Sequence, residues 1–200
     1  MKRFFAIILF IMFSFNSTAV EQEISPYKVI ANTGEQLFTR IADDQQLLKT
    51  SPQLMRDIVE QELMPAIDYK YAAFKILGKH LKTMNRTQKQ NFIVSMRSYL
   101  VKTYATALKQ YKNQQVTFEP ERPINGARIV SVDAIISAAN APNITITFQM
   151  RQNRKSKQWK AYDMIVEGIS LLTSKRAEID SRIAKNGIEQ VTLELAAVGD

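Results

Sequence analysis

The sequence contains no cysteine, a single histidine, and only 6 glycines and 6 prolines. Without cysteine the chain can form no disulfide, and it has no cysteine to which an N-terminal lipid anchor could be attached. It also has no glycine-rich phosphate loop and no pair of metal ligands at a helical spacing. The one histidine, His80, lies close to Lys79 and Lys82, which is typical of a solvated surface side chain. We therefore expect no metal site and no cofactor.

An apolar run at the N-terminus is too short to cross a membrane. Two basic residues precede this run, which covers residues 4–15, and small residues follow at Ser17 and Ala19. This order is typical of a secretory signal peptide that is cleaved after Ala19. The alternative is a membrane anchor, but a bilayer core requires about 20 apolar residues. We therefore expect residues 1–19 to be removed and residues 20–200 to form a soluble exported protein.

Basic residues outnumber acidic ones, and the formal net charge is +8. This excess favours an acidic partner. Nucleic acid is the usual partner of a basic chain, but an exported protein rarely meets it, so anionic headgroups and acidic protein surfaces are better candidates. A solvated basic surface without a specific role is the alternative. The basic residues form two clusters: Arg151, Arg154, Lys155, Lys157 and Lys160 in one, and Lys79, Lys82, Arg86 and Lys89 in the other.

The first half of the chain has the pattern of amphipathic helices. Ser25-Pro26 and Ser51-Pro52 each place a capping serine before a proline at the first helical position. A looser helix is predicted over residues 68–82. Thr87 and the three residues after it have the form of a capping box, and they begin the longest helix, whose apolar stripe reaches Tyr111.

The middle of the chain alternates between apolar and polar residues with a period of two. Strand-like segments cover residues 116–119, 127–138 and 144–152, and proline, glycine and asparagine mark the turns between them. Short turns between successive strands favour an antiparallel sheet. We therefore predict an α+β fold in which amphipathic helices enclose the apolar face of a curved antiparallel sheet.

The strand-like segment at residues 159–166 joins this sheet to the helices that follow it. Its apolar residues fall on both faces of a strand, with Tyr162, Met164 and Val166 on one face and Trp159, Ala161 and Ile165 on the other. Both faces are then covered, which is typical of an internal strand and not of an edge strand.

The domain organisation follows from these changes of period. After a break at Gly168 the apolar period becomes that of a helix, which stops at Asn186-Gly187. We expect a single domain with helices over residues 20–115, the sheet over residues 116–168 and C-terminal helices over residues 169–200.

Two carboxylates at the end of the last strand are the best candidates for acid–base chemistry. Asp163 and Glu167 are four residues apart, so along an extended chain they lie on one side. Each could equally cap the following helix or accept hydrogen bonds from the backbone at Gly168. The sequence favours this structural role.

The chain also has surplus apolar material on its long helices. It contains 8 methionines, among them Met96, Met150 and Met164 on faces predicted to point inward. Flexible thioethers suit a surface that binds mobile hydrocarbon, but methionine is also a common filler of ordinary cores. The pattern alone supports both interpretations.

Several segments resemble the MlaC family, also called the toluene-tolerance family. They are Pro26-Tyr27-Lys28, Ile58-Val59-Glu60-Gln61-Glu62-Leu63-Met64-Pro65, Ile76-Leu77-Gly78, Arg97-Ser98-Tyr99-Leu100, Tyr104, and Trp159-Lys160-Ala161-Tyr162-Asp163-Met164-Ile165-Val166-Glu167-Gly168-Ile169-Ser170. The resemblance covers nearly the whole of residues 20–200, and the last of these segments is the most specific.

The resemblance implies a periplasmic phospholipid carrier and not an enzyme. Such carriers move lipid between an outer-membrane lipoprotein complex and an inner-membrane ABC transporter with an MCE subunit, and so maintain the lipid asymmetry of the outer membrane. The implied fold is similar to an NTF2-like cone, with acyl chains inside and the headgroup outside. Two other classes stay open: an NTF2-like enzyme that uses Asp163 or Glu167 with Tyr162 on a small hydrophobic substrate, and an interaction protein without a ligand.

Periodicity and the resemblance together predict which residues line the cavity. Because the cavity would enclose only the tails, we expect little dependence on headgroup chemistry. The predicted lining residues are Met96, Leu100, Tyr104, Val130, Val132, Ile136, Ile146, Phe148, Met150, Tyr162, Met164, Val166, Ile169 and Leu172.

Overall fold

The computed structural model describes residues 24–138 and 141–199, so the predicted signal peptide lies outside the described residues. The α-helices are α1 (Pro26–Asp43), α2 (Gln45–Thr50), α3 (Leu54–Ile58), α4 (Tyr69–Leu77), α5 (Arg86–Leu108) and α6 (Leu171–Gly199). The strands are β1 (Gln115–Phe118), β2 (Ile129–Ala138), β3 (Ala141–Gln152), β4 (Trp159–Val166) and β5 (Ile169–Ser170). Helices before and after one sheet give the predicted α+β architecture.

Only one of the two predicted serine-proline helix starts is a cap. Ser25 accepts a hydrogen bond from the backbone N–H of Lys28, and Pro26 begins α1 as predicted. The prediction for Ser51 was wrong, because its N–H donates to the carbonyl of Leu47 at 2.8 Å and so ends α2. The next helix, α3, begins only at Leu54.

After α3 the chain continues as a π-helical turn (Val59–Leu63) and a short 3₁₀ turn (Met64–Ala66). The Arg97 guanidinium binds both carboxylate oxygens of Glu60, with a distance of 2.7 Å from Nη1 to Oε1, and this links the π-helical turn to α5. Such π-helical turns occur frequently at functional sites.

The longest helix before the sheet, α5, begins with a capping box. Asn85 Oδ1 accepts from the Gln88 N–H at 2.9 Å, and Gln88 Oε1 accepts from the Asn85 N–H at 2.8 Å. The capping box predicted at Thr87 therefore lies two residues earlier, because Asn85 still has extended backbone angles and α5 starts directly after it.

The sheet is an antiparallel meander in the order β1-β2-β3-β4-β5. Its strands are close to those predicted, but β3 starts before Ile144 because Ala138 still pairs with Ala141. Pro142 and Asn143 thus belong to the strand and not to the turn.

A β-bulge in β4 changes which of its residues share a face. Gln149 pairs with Asp163, but Met150 pairs with Ala161, so Tyr162 is the extra residue of the bulge. Ala161 and Met164 consequently lie on the same face, and the strict alternation predicted for β4 was wrong. On the side away from β3, β4 pairs over only a short length. Its partners there are the two-residue strand β5 and Ile67, which forms a single bridge with Ala161.

Three clusters of buried residues hold the helices and the sheet together. The first joins α4, α5 and α6, and the second joins α1, α3 and the C-terminal half of α5. In α6 the helix is interrupted at the predicted stop, Gly187, where φ is 78°, and Val191 beyond it returns to the first cluster. The third cluster lies between α1 and one end of the sheet. The remaining part of the sheet faces cavities.

Candidate functional site

The larger of two adjoining cavities, here called the sheet cavity, has a volume of about 350 Å³. This volume lies at the lower end of the range for small-molecule sites, roughly 300–1,000 Å³. The sheet contributes Val116, Phe118, Ala134, Ile136, Ile144, Ile146, Phe148 and Met164 to its lining. The helices and the chain that follows them contribute Ile30, Thr33, Gly34, Leu37, Phe38, Leu63, Ala66, Ile67, Tyr104, Ala107, Leu108, Gln110, Tyr111 and Gln114.

The second cavity, here called the helix cavity, has a volume of about 270 Å³ and lies between β4, α4, α5 and the start of α6. Ile67, Tyr104 and Met164 line both cavities, so the two adjoin there. The other lining residues of the helix cavity are Ala72, Ile76, Met96, Tyr99, Leu100, Thr103, Ala161, Tyr162, Asp163, Leu171, Leu172, Ser174, Lys175 and Glu178.

The two cavities differ in charge. The described residues that line the sheet cavity are apolar or aromatic, apart from a threonine and two glutamines, and none is charged. The helix cavity has apolar walls too, but Asp163, Lys175 and Glu178 bring charged groups to it from β4 and α6. The combined space therefore suits an amphipathic ligand with a large hydrocarbon part.

Tyr104 stands where the two cavities meet. Burial raises the pKa of its hydroxyl well above the usual value, and the nearby Asp163 carboxylate and Tyr99 raise it further. The phenol is therefore neutral at physiological pH. It adds one polar group to a junction otherwise formed by Ile67 and Met164.

Both carboxylates considered for acid–base chemistry make structural hydrogen bonds. Asp163 accepts from the Leu172 N–H at 2.9 Å and from the Ser170 hydroxyl at 2.7 Å, so it caps the start of α6. Glu167 accepts from the Thr145 N–H at 2.8 Å and fixes the turn after β4. This is the structural role that the sequence favoured.

The sequence predicted that the single histidine, His80, is a solvated surface side chain, and this prediction was wrong. Its side chain is only 18% exposed, and Nε2 lies 2.7 Å from Asp180 Oδ1. Hydrogen bonds from Lys79 and His80 lower the pKa of Asp180, so this carboxylate stays ionised. The hydrogen bonds of Lys79 and His80 with Asp180 therefore join the 3₁₀ turn that follows α4 to α6.

The two basic clusters differ in how their members are held. Arg151 binds Asp68 and lies 4.1 Å from the centre of the Tyr71 ring, so it belongs to the structure around the bulge. The exposed members of that cluster are Arg154, Lys155 and Lys157, here called the hairpin patch. The exposed members of the other cluster are Lys79, Lys82 and Arg86, here called the turn patch.

The structure brings together most of the residues predicted to line a cavity. Met96, Leu100, Tyr162 and Leu172 line the helix cavity, Ile136, Ile146 and Phe148 line the sheet cavity, and Tyr104 and Met164 line both. Five predicted residues line neither: Val130, Val132, Met150, Val166 and Ile169.

These exceptions have separate causes. Val132 and Met150 are 0% exposed and belong to the third buried cluster, against which Val130 also packs, because α1 closes over that end of the sheet. Val166 shares the face of Ile146 but lies at the end of β4, beside β5. Ile169 is 62% exposed.

One wall of the sheet cavity was not predicted, namely the inner face of α1. Ile30, Leu37 and Phe38 of this face line the cavity, but nothing in the helical periodicity of α1 indicates that they face a cavity and not a filled core. Gly34 is the clearest local sequence signal for this wall, because the Phe118 ring occupies the space that a β-carbon at position 34 would need.

Neither a membrane-spanning helix nor a metal site is found in the described part of the chain. No helix within residues 24–138 and 141–199 is long and apolar enough to cross a bilayer. The same residues contain no group of three or more acidic or histidine side chains placed to hold a metal ion.

An antiparallel sheet, with helices over an apolar space that carries charge at one side, defines an α+β protein whose cavities suit an amphipathic ligand. The family model described as MlaC protein matches residues 31–197, and the chain therefore belongs to the MlaC family.

Known relatives and a solved structure agree with this membership. The chain is 29% identical over 198 residues to the intermembrane phospholipid transport system binding protein MlaC of Haemophilus influenzae, covering 98% of this chain and 92% of that protein. It is 23% identical over 164 residues to the toluene tolerance protein ttg2D of Pseudomonas putida, covering 82% and 75%. A phospholipid-binding protein of Ralstonia solanacearum, solved with a phospholipid, shares the fold with a TM-score of 0.77 and 21% identity, over 88% of this chain and 97% of that one.

Proposed function

We propose that this protein is a periplasmic phospholipid carrier that holds the acyl chains of a diacyl lipid in the sheet cavity and the helix cavity. The observation that carries the proposal is the continuity of apolar lining through Ile67, Tyr104 and Met164, which both cavities share. The name of the Haemophilus influenzae relative and the phospholipid bound in the Ralstonia solanacearum structure support this class of ligand.

The energetics of hydrocarbon explain why such a carrier is needed. Exposure of two acyl chains of about 15 methylenes each to water costs roughly 24 kcal/mol of free energy, at about 0.8 kcal/mol per methylene. A lipid therefore does not cross an aqueous space unaided at a useful rate. The acyl chains are already shielded from water in the bilayer, so the free energy of their transfer into an apolar cavity is close to zero. The direction of transfer therefore depends on the partners.

The partners that we propose are an outer-membrane lipoprotein complex and the MCE subunit of an inner-membrane ABC transporter. The membership of the MlaC family and the transport-system name of one relative support them. The hairpin patch and the turn patch offer exposed positive charge to acidic partner surfaces or anionic headgroups.

The hydrogen bonds of the two carboxylates favour a ligand-binding protein over an enzyme. Asp163 and Glu167 already accept hydrogen bonds from backbone N–H groups, and Asp163 also accepts from Ser170. Their replacement by Asn and Gln should leave lipid occupancy intact. Turnover of a small hydrophobic substrate by the wild-type protein, lost in this double variant, would favour the enzyme instead.

Native mass spectrometry of the protein purified from its exported fraction tests the proposal. We expect a mass increase of one or more phospholipids, and organic extraction should recover diacyl phospholipid. The headgroups of the extracted lipid should mirror the composition of the membrane. A protein that is folded yet free of lipid, both as purified and after incubation with phospholipid vesicles, would contradict the carrier function and favour an interaction protein.

A further inference from the structure

The helix cavity contains an ammonium group that a purely apolar tail site does not require. Lys175 lies in the first turns of α6, its side chain is only 21% exposed, and it lines the cavity. Its Nζ donates to the Tyr99 hydroxyl at 2.7 Å and to Glu178 Oε2 at 2.5 Å, and it lies 4.5 Å from the centre of the Tyr99 ring. A charge beside hydrocarbon is costly unless it is paired and hydrogen-bonded, and Glu178 and Tyr99 meet this requirement for Lys175.

The ammonium group is held in its charged form. Burial acts to lower the pKa of Lys175, but the hydrogen bonds with Glu178 and Tyr99 outweigh it, so the pKa is raised overall. Lys175 therefore presents a full positive charge at the cavity wall at physiological pH.

The counterion of Lys175 has a second partner. Glu178 Oε1 also accepts from Arg182 Nη1 at 2.8 Å, and Arg182 in turn binds Glu194. If Lys175 turned towards a new anion, Glu178 would still be paired with Arg182. The lysine stem is flexible enough for such an exchange, since its three donors sit on a four-carbon chain.

The remaining carboxylate of this cavity does not compete for Lys175 in the structure. Asp163 directs both of its oxygens to the start of α6, where they accept from Ser170 and Leu172. An anion placed beside Lys175 in the helix cavity thus meets one exchangeable cation and the adjacent Tyr99 hydroxyl.

We propose that Lys175, assisted by the Tyr99 hydroxyl, binds the phosphate group of the lipid whose acyl chains occupy the two cavities. This inference rests on the proposed carrier function and adds a polar contact to it. Every glycerophospholipid has this phosphate, so the contact retains phospholipids over neutral lipids without selecting among headgroups.

The test compares two lipids with identical acyl chains, a phosphatidylglycerol and a diacylglycerol, each titrated into delipidated protein. Lys175→Met should weaken phosphatidylglycerol binding about tenfold, as expected for the loss of one charge-assisted hydrogen bond, and leave diacylglycerol binding unchanged. Lys175→Arg should retain most of the preference. Lys185→Met is the matched control, because Lys185 is an exposed lysine of the same helix.

Three outcomes would overturn the inference. Equal phosphatidylglycerol affinity of the wild type and Lys175→Met, or equal loss of both lipids, would show that Lys175 serves only the structure. Binding of inorganic phosphate or glycerol phosphate that depends on Lys175 at similar affinity would indicate a free-phosphate site and not a lipid contact. If the wild type bound neither lipid, the carrier function itself would fail, which is distinct from a failure of the Lys175 contact.

Discussion

A carboxylate placed inside the sheet cavity should block lipid binding in a way that depends on pH. Ile146 is the best position, because it lies in the middle of β3, pairs with Ala134 on one side and Val166 on the other, and lines the cavity. In the empty protein, water entering the cavity can solvate the carboxylate of Ile146→Glu. Bound hydrocarbon would exclude that water, so the cost appears when lipid binds.

The magnitude of this cost is limited by protonation. The glutamate can take up a proton instead of remaining charged, which at about pH 7.4 costs roughly 4 kcal/mol, since its ordinary pKa is about 4.3 and each unit is worth about 1.36 kcal/mol. Lipid affinity should then fall by up to about 1,000-fold relative to the wild type. At about pH 5.4 the cost is only about 1.5 kcal/mol, and the deficit should shrink to about tenfold.

The sign of the pH dependence follows from the same reasoning. The pKa of the introduced carboxyl group is raised in the lipid-bound state, so the neutral form binds lipid better and binding recovers as pH falls. Ile146→Gln removes the same apolar side chain without adding a charge, and its binding should show no such recovery.

Fluorescence titration of delipidated protein with a lipid labelled on one acyl chain measures these affinities at both pH values. Ile135→Glu is the matched control, because Ile135 is a neighbouring residue on β2 that pairs with Thr145 on the face away from the cavity and is 36% exposed. It should bind lipid like the wild type. The reasoning is refuted if folded Ile146→Glu, verified by circular dichroism, binds lipid normally at neutral pH, or if its binding weakens further as pH falls.

Three other predictions follow from the described contacts. Charge reversal of the hairpin patch should slow lipid delivery to an acceptor membrane complex at low salt without changing lipid content. The effect should fade once added salt brings the Debye length below about 10 Å. Unchanged delivery rates, both for this variant and for one with the turn patch reversed, would identify both patches as ordinary surface. Gly34→Ala should lower the free energy of unfolding by about 1–3 kcal/mol, because the new methyl group meets the Phe118 ring, and denaturant titration measures this. Asp163→Ala should cost about 1–2 kcal/mol through loss of the α6 cap, whereas Glu35→Ala on exposed α1 surface should cost little in the same titration.

The sequence alone determined the fold class and the approximate limits of the main elements. Apolar residues repeat with a period of two in the sheet and of about 3.6 in the helices, and this difference depends only on local backbone geometry. Ser25 and Gly187 were recognised for the same reason, since capping and a left-handed stop involve neighbouring residues. The family motif, richest between Trp159 and Ser170, identified the class of protein that the family model then matched.

The tertiary structure decided which inward residues face a cavity and which fill a core. Val132 and Phe148 are paired in the sheet and equally apolar, yet one is fully buried in a cluster and the other lines the sheet cavity. The bulge at Tyr162 moved Ala161 to the face of Met164, and no period-two pattern contains that information. Lys175 and Tyr99 meet only after α6 folds back onto α5, because contacts between residues far apart in sequence depend on how whole elements pack and not on local periodicity.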